Sequence, residues 1–218
     1  MPKLEYQRKI TTMYELWLAS QSPRRRELLQ KAGFLFRIHP VKISENIEEN
    51  VNPERAIMAI AHAKANEVVR ERKLLKPQKI LLLAADTMVI LPSLLGLKLS
   101  ERLLGKPKTT QMAREYLSLL SGKAHRVVTA ISLFNFETDE FLDTFESTNV
   151  QFRELSETEI EAYVSSGEPL DKAGAYAIQG GARSFVTAIE GSESNVIGLP
   201  LELFEKILRE RGWQVARK

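Results

Sequence analysis

The chain has 218 residues, 44% hydrophobic and 27% charged, the balance of a globular protein long enough to bury a proper core. A net charge of +3 is too small to argue for nucleic acid, and the lack of cysteine excludes a disulfide framework, thiolate catalysis and a thiolate metal site. Its three histidines, His39, His62 and His125, have no metal-ligand spacing, and no apolar run is long enough to span a bilayer.

Residues 1–13 carry Lys3, Arg8 and Lys9 but no apolar signal core. They read as a flexible N-terminal arm, with Met13 as a second candidate start, ahead of a single domain over residues 14–218. A cytoplasmic enzyme fits these features. Residues 16–19 are an apolar run that predicts a buried strand. Ser20 and Ser22 follow, then Pro23 and three arginines. Ser22 suits an N-cap and Pro23 the first helical position. Such a turn presents N–H groups and hydroxyls to an anion, the helix dipole favours negative charge, and Arg24 and Arg25 add bidentate phosphate donors. An ordinary capped helix with a solvated basic face is the plain alternative. Gly33 ends this helix, and residues 34–38 predict a second strand.

A polar loop bearing Glu45 leads to Asn52 and Pro53, which open a long helix with Ile57, Ile60, Ala61, Ala65, Val68 and Val69 at helical spacing. Residues 80–85 are wholly apolar, the mark of a central strand buried on both faces, with Asp86 at its end and residues 88–90 continuing the sheet. Residues 91–104 read as a leucine-rich loop. A helix starts at Thr109 or Thr110, and residues 126–134 and 141–152 predict an antiparallel pair of long strands. Ser156 and Glu159 form a capping box, a glycine-rich stretch runs over residues 168–181, and residues 185–189 predict a strand. Pro200 opens a last helix with Leu201, Phe204, Ile207 and Leu208 on one face. The fold class is α/β, a mixed sheet with flanking helices.

Asp86 is the catalytic candidate. A carboxylate at the mouth of a buried strand can hold a metal or take a proton from water, and ligands of open α/β sheets gather at strand carboxyl ends. The plain alternative is an aspartate capping the next turn. Lys64 has small neighbours that let it reach inward. Lys106 sits in a rigid Gly-Lys-Pro turn, and Asp171 and Lys172 lie on what reads as a flexible loop. With Glu45, these residues are the inventory for a triphosphate held with a divalent cation.

Several ordered segments then match one family: Leu18 to Arg25, Ala85-Asp86-Thr87, Gly105-Lys106-Pro107, Leu120-Ser121-Gly122, and residues 163–168, 171–180 and 196–200. On these the chain resembles the Maf family of nucleoside triphosphate pyrophosphatases, from about Leu16 to Leu208. The resemblance implies an elongated mixed α/β fold with a cleft between two lobes, similar to inosine triphosphate pyrophosphatases. It implies hydrolysis of a nucleoside triphosphate to the monophosphate and pyrophosphate with a divalent metal, Mg²⁺ or Mn²⁺. Asp86 matches the family's proton acceptor. Ser20, Ser22, Arg24, Arg25, Glu45, Lys64, Lys106 and Lys172 match its polar cleft, with Glu45 and Asp86 toward the metal.

The family divides by substrate at three positions, here Arg24, Thr87 and Gln179. This set resembles the branch acting on dTTP and UTP; the sister branch acting on 7-methyl-GTP shows tryptophan, glutamine and glutamate there. Gln179 carries a donor and an acceptor, as the N3–H and carbonyl of uracil or thymine require. Two departures stand out: the apolar segment 91–104, suited to covering a partner or lidding the cleft, and Gly180-Gly181-Ala182-Arg183, which bears on how Gln179 meets the base. Rival readings are a broader pyrophosphatase for modified pyrimidine nucleotides and a non-enzymatic regulator of septum formation. The basic residues are not interleaved with aromatics, against a nucleic-acid partner. Family likeness favours a homodimer.

Overall fold

The computed structural model describes residues 13–43, 51–72, 78–91 and 103–218. The expected N-terminal arm, apart from Met13, lies outside these residues. So do Glu45 and most of the leucine-rich segment.

One mixed seven-stranded sheet organises the chain. Its strands are β1 (Glu15–Ala19), β2 (Phe36–Ile38), β3 (Ile80–Ile90), β4 (Leu103–Leu104), β5 (Ala124–Asn135), β6 (Glu140–Phe152) and β7 (Val186–Glu190). The order is β2-β1-β3-β5-β6-β7, with β4 paired to β3. β1 runs parallel to β2 and β3, and every other pairing is antiparallel.

The helices are α1 (Pro23–Lys31), α2 (Pro53–Arg72), α3 (Thr110–Leu120), α4 (Glu157–Ser165), α5 (Glu193–Ile197) and α6 (Leu201–Arg211). Their starts follow local chemistry. The Ser22 hydroxyl accepts from the Arg25 amide, Asn52 Oδ1 from Arg55, and Thr109 Oγ1 from Met112. Ser156 and Glu159 complete a capping box. None of the described helices is long and apolar enough to cross a membrane.

Three expectations are corrected. Regular pairing in β2 begins at Phe36; Phe34 makes only an isolated bridge to Arg217 and buries its ring 5.3 Å from Phe204. Of the leucine-rich segment, Leu91, Leu103 and Leu104 are core residues, the latter two as β4. The helix α5 was absent from the sequence reading, although Ser192 caps it and Gly198 ends it.

Alternation along β3 sorts the core onto two faces. Leu82, Ala84, Met88 and Ile90 face α2. On the other face, Leu81, Leu83 and Ala85 pack with α1 and α6, whereas Val89 and Leu91 pack with α3 and α4. Thr87 falls between these two clusters, and its register partner on β5 is Thr129. The apolar core is thus interrupted by a polar belt, and that belt borders the site.

Candidate active site

β3 is eleven residues long, and Asp86 lies within it rather than at its end, contrary to the sequence expectation. The strand continues because residues 81–90 all pair with β5 on one edge. The other edge is discontinuous. β1 stops at Ala19 opposite Ala84, and β4 reaches no further than Leu104 opposite Val89. Residues 85–88 therefore border a gap in the sheet. The strand-end rule holds in altered form, since Asp86 sits just past the carboxyl end of the parallel neighbour.

Asp86 points to the α2 face. Lys64, from the middle of α2, donates to Asp86 Oδ1 at 2.6 Å. Their side chains are 13% and 10% exposed, so the pair is nearly buried yet still reaches the cleft. Thr87 points to the opposite face. Its hydroxyl bonds Arg25 Nη2 at 3.1 Å and Thr129 Oγ1 at 3.0 Å, and Thr129 donates to the Asn195 carbonyl at 2.9 Å. Because the sheet is open here, both faces contribute to one cleft.

Arg25 is fixed from three sides. It donates to the Gly198 carbonyl at 2.8 Å, to Ser20 Oγ at 3.3 Å and to Thr87. Ser20 is buried, and its hydroxyl also accepts from the Ser22 amide at 3.1 Å. The serine turn thus orients Arg25 and aims the N-terminus of α1. Ser20 lines an adjoining recess with Lys42, Lys64 and Lys106 rather than the main cleft. Lys42 was missed from sequence, where it is one surface lysine among many.

Arg24, Lys106, Lys172 and Gln179 join Ser22, Arg25, Lys64, Asp86 and Thr87 along the cleft. The segment after α4, where the sequence offered few helix signals, contains short turns over residues 168–171, 173–175 and 181–185. Gly174 ties them to the Lys106 turn, its N–H donating to the Gly105 carbonyl at 3.0 Å. Its φ of +68° and a position where a Cβ would lie 2.7 Å from Val89 both require glycine. Asp171 accepts from Arg24 at 3.3 Å and from Lys172 at 2.5 Å. Burial works to raise the Asp171 carboxyl, but Lys172 and Arg24 outweigh it and hold the group below its ordinary range.

Behind the cleft, His125 Nε2 and the Tyr176 hydroxyl share a hydrogen bond of 2.8 Å. Burial pushes the imidazole down to about 4 and the phenol up, so both are uncharged at neutral pH. Tyr176 lines the cleft, and sequence reasoning gave His125 no part in it.

Among the described residues, five cationic side chains and one carboxylate, Asp86, line the cleft, an arrangement that attracts a polyanion. No group of three or more metal-binding side chains occurs among the described residues. A single carboxylate fits Mg²⁺ held jointly with substrate phosphates, because that ion commonly takes one or two protein carboxylates and completes its shell from phosphates and water.

A family model described as Maf-like protein matches residues 15–211. A protein of Bdellovibrio bacteriovorus named dTTP/UTP pyrophosphatase is 42% identical over 193 residues, 88% of this chain and 96% of that protein. Proteins of the same name from Alkaliphilus oremlandii and Bacillus pumilus are 41% and 40% identical over 90% and 92% of this chain and 96% and 98% of theirs. The solved Staphylococcus aureus Ham1 protein is similar with a TM-score of 0.44 at 15% identity, over 90% of this chain and 99% of that one. With the family matched from β1 to the end of α6, and relatives about 40% identical over about nine-tenths of the chain, this chain belongs to the Maf family.

Proposed function

We propose that this chain hydrolyses dTTP and UTP to the monophosphate and pyrophosphate, by in-line attack of water on the α-phosphorus. The observation that carries the reading is the Asp86–Lys64 pair at the gap in the sheet, facing a cleft ringed by Arg24, Arg25, Lys106 and Lys172. Full-length relatives named dTTP/UTP pyrophosphatase support the substrate.

In this reading Asp86 orients the attacking water and accepts its proton, and Lys64 aims the carboxylate. The cations and the N-terminal amides of α1 bind the polyphosphate and meet the charge that builds on the departing pyrophosphate. Asp86 would hold a Mg²⁺ or Mn²⁺ ion, with Glu45 as a second ligand suggested by the family pattern. When bound, such an ion neutralises phosphate charge and acidifies water. Gln179, at the rim, offers its amide N–H and carbonyl to the base edge of uracil or thymine. A glutamate there would only accept, which suits guanine. A base of the wrong edge pattern then leaves these groups unmatched.

The test is pyrophosphate release from dTTP, UTP, CTP, GTP and 7-methyl-GTP, with and without Mg²⁺. Release from dTTP and UTP is expected to exceed that from the purine nucleotides by roughly 100-fold. A chain that releases pyrophosphate from none of them, or fastest from 7-methyl-GTP, overturns the proposal.

A further inference from the structure

Tyr163 and Glu168 belong to a segment that matched the family without receiving a role. Neither side chain lines the cleft. Both contact the turn that carries Gln179. Tyr163 sits on α4 with its ring buried 5.3 Å from that of Phe185, edge to face. Its hydroxyl donates to Glu168 Oε1 at 3.0 Å and accepts the Ala177 N–H at 3.1 Å. Glu168 Oε2 accepts the Gly181 N–H at 3.2 Å. The Glu168 backbone carbonyl accepts Lys172 Nζ at 2.8 Å.

Residues 177 and 181 are thereby tied to one phenol–carboxylate pair, and Gln179 rides midway between the ties. The contact is close: a Cβ on Gly180 would fall 1.9 Å from Glu168 Oε1, so only glycine lets the carboxylate lie against the turn. Burial raises the Tyr163 phenol above its ordinary value, so it remains a donor across the working pH range.

We infer that Tyr163 and Glu168 are positioning residues for base recognition: they hold the 177–181 turn from behind and thereby set where Gln179 meets the pyrimidine. The inference rests on the pyrophosphatase reading above. Tyr163→Phe keeps the ring and removes both hydroxyl bonds. Glu168→Gln keeps the shape and turns one acceptor into a donor, which faces either the Tyr163 hydroxyl or the Gly181 N–H.

Each variant is expected to raise KM for UTP about tenfold with kcat within about threefold, and to lower the preference for UTP over CTP by a similar factor. The double variant loses no more than about the worse single, because the two groups act as a unit. Hydrogen exchange gives a readout independent of turnover: the Ala177 and Gly181 amides exchange at least about tenfold faster in both variants, while β5 amides do not change. Thermal unfolding checks folding, and Glu168→Gln carries the test should Tyr163→Phe fail to fold. An active wild type whose variants keep its UTP/CTP preference, or lose kcat equally for every nucleotide, overturns this inference alone. A wild type inert toward every nucleotide overturns the pyrophosphatase reading instead.

Discussion

Asp86→Asn separates the chemistry of the site from its electrostatics. The substitution removes one charge of an ion pair held at 2.6 Å, with side chains 10% and 13% exposed. Removing one member of a buried ion pair costs about 3–5 kcal/mol. This pair borders an open cleft, so water relieves part of that, and a loss of about 2 kcal/mol is expected. For a chain of this size that is a fall of about 4–8 °C in Tm. Adding Lys64→Met removes the ammonium that faces Asp86 as well. Turnover follows a different course. A positioned general base contributes about 10²–10⁴-fold, or about 3–5.5 kcal/mol of barrier. Both the single and the double variant are expected to lose at least about 100-fold in kcat. The assays are pyrophosphate release at saturating UTP, calorimetric unfolding, and titration with a non-hydrolysable α,β-imido analogue to show that binding survives. Turnover of Asp86→Asn within about threefold of wild type refutes the assigned role. Recovery of turnover in the double variant refutes it too, since the carboxylate would then have mattered only as a counter-charge.

Three further outcomes test the frame around the site. Thr87→Val keeps the shape but deletes the hydroxyl joined to Arg25 and Thr129; a loss of about 1–2 kcal/mol in chemical denaturation and a raised KM for UTP are expected. Gly174→Ala forces a β-carbon toward Val89 at a positive φ, so a loss of about 1–3 kcal/mol and weaker nucleotide binding are expected from the same experiments. Stability also depends on pH, and on the acid side His125 and Glu159 show it most. His125 is held down to about 4 from 6.5, chiefly by burial, so the unfolded chain takes up its proton first as pH falls. Up to about 3 kcal/mol is then lost between those two values, and His125→Gln flattens that limb. Glu159 is held down to about 2 from 4.5, first by its hydrogen bond to Arg153 and then by those to Ser156. Its contribution is present above 4.5 and disappears as pH falls through about 2; Glu159→Gln removes this lower limb in unfolding curves taken below pH 4.5.

What was legible from sequence was what local chemistry decides. Ser22, Asn52 and Ser156 each cap the helix that the sequence assigns to them, because a cap needs only the next three residues, and Thr109 is the one of two candidate threonines that caps α3. The apolar run ending at Ala85 became the central strand, and Lys64 reached inward past small neighbours. The position of Asp86 within its strand was not legible, since it depends on β5 and β4, which come later in the chain. Nor was the opposition of Asp86 and Thr87 across the sheet, or the pairing of Arg25 with Gly198, 173 residues away. Residues 168–181 misled because repeated glycines suggest looseness, whereas here Gly174 and Gly180 permit close contacts with Val89 and Glu168. The short helix after Ser192 could have been found from its cap and the following glycine.

The acid and the hydroxyl at the heart of this enzyme are consecutive on one extended segment, so they emerge on opposite sides of a single layer. Sliding that segment by one position against β5 would exchange their destinations while leaving the run of leucines and alanines outwardly unchanged. Single-residue insertions or deletions between residues 80 and 86 should therefore abolish hydrolysis even in folded protein, whereas length changes at the tip of the β5–β6 hairpin should be tolerated.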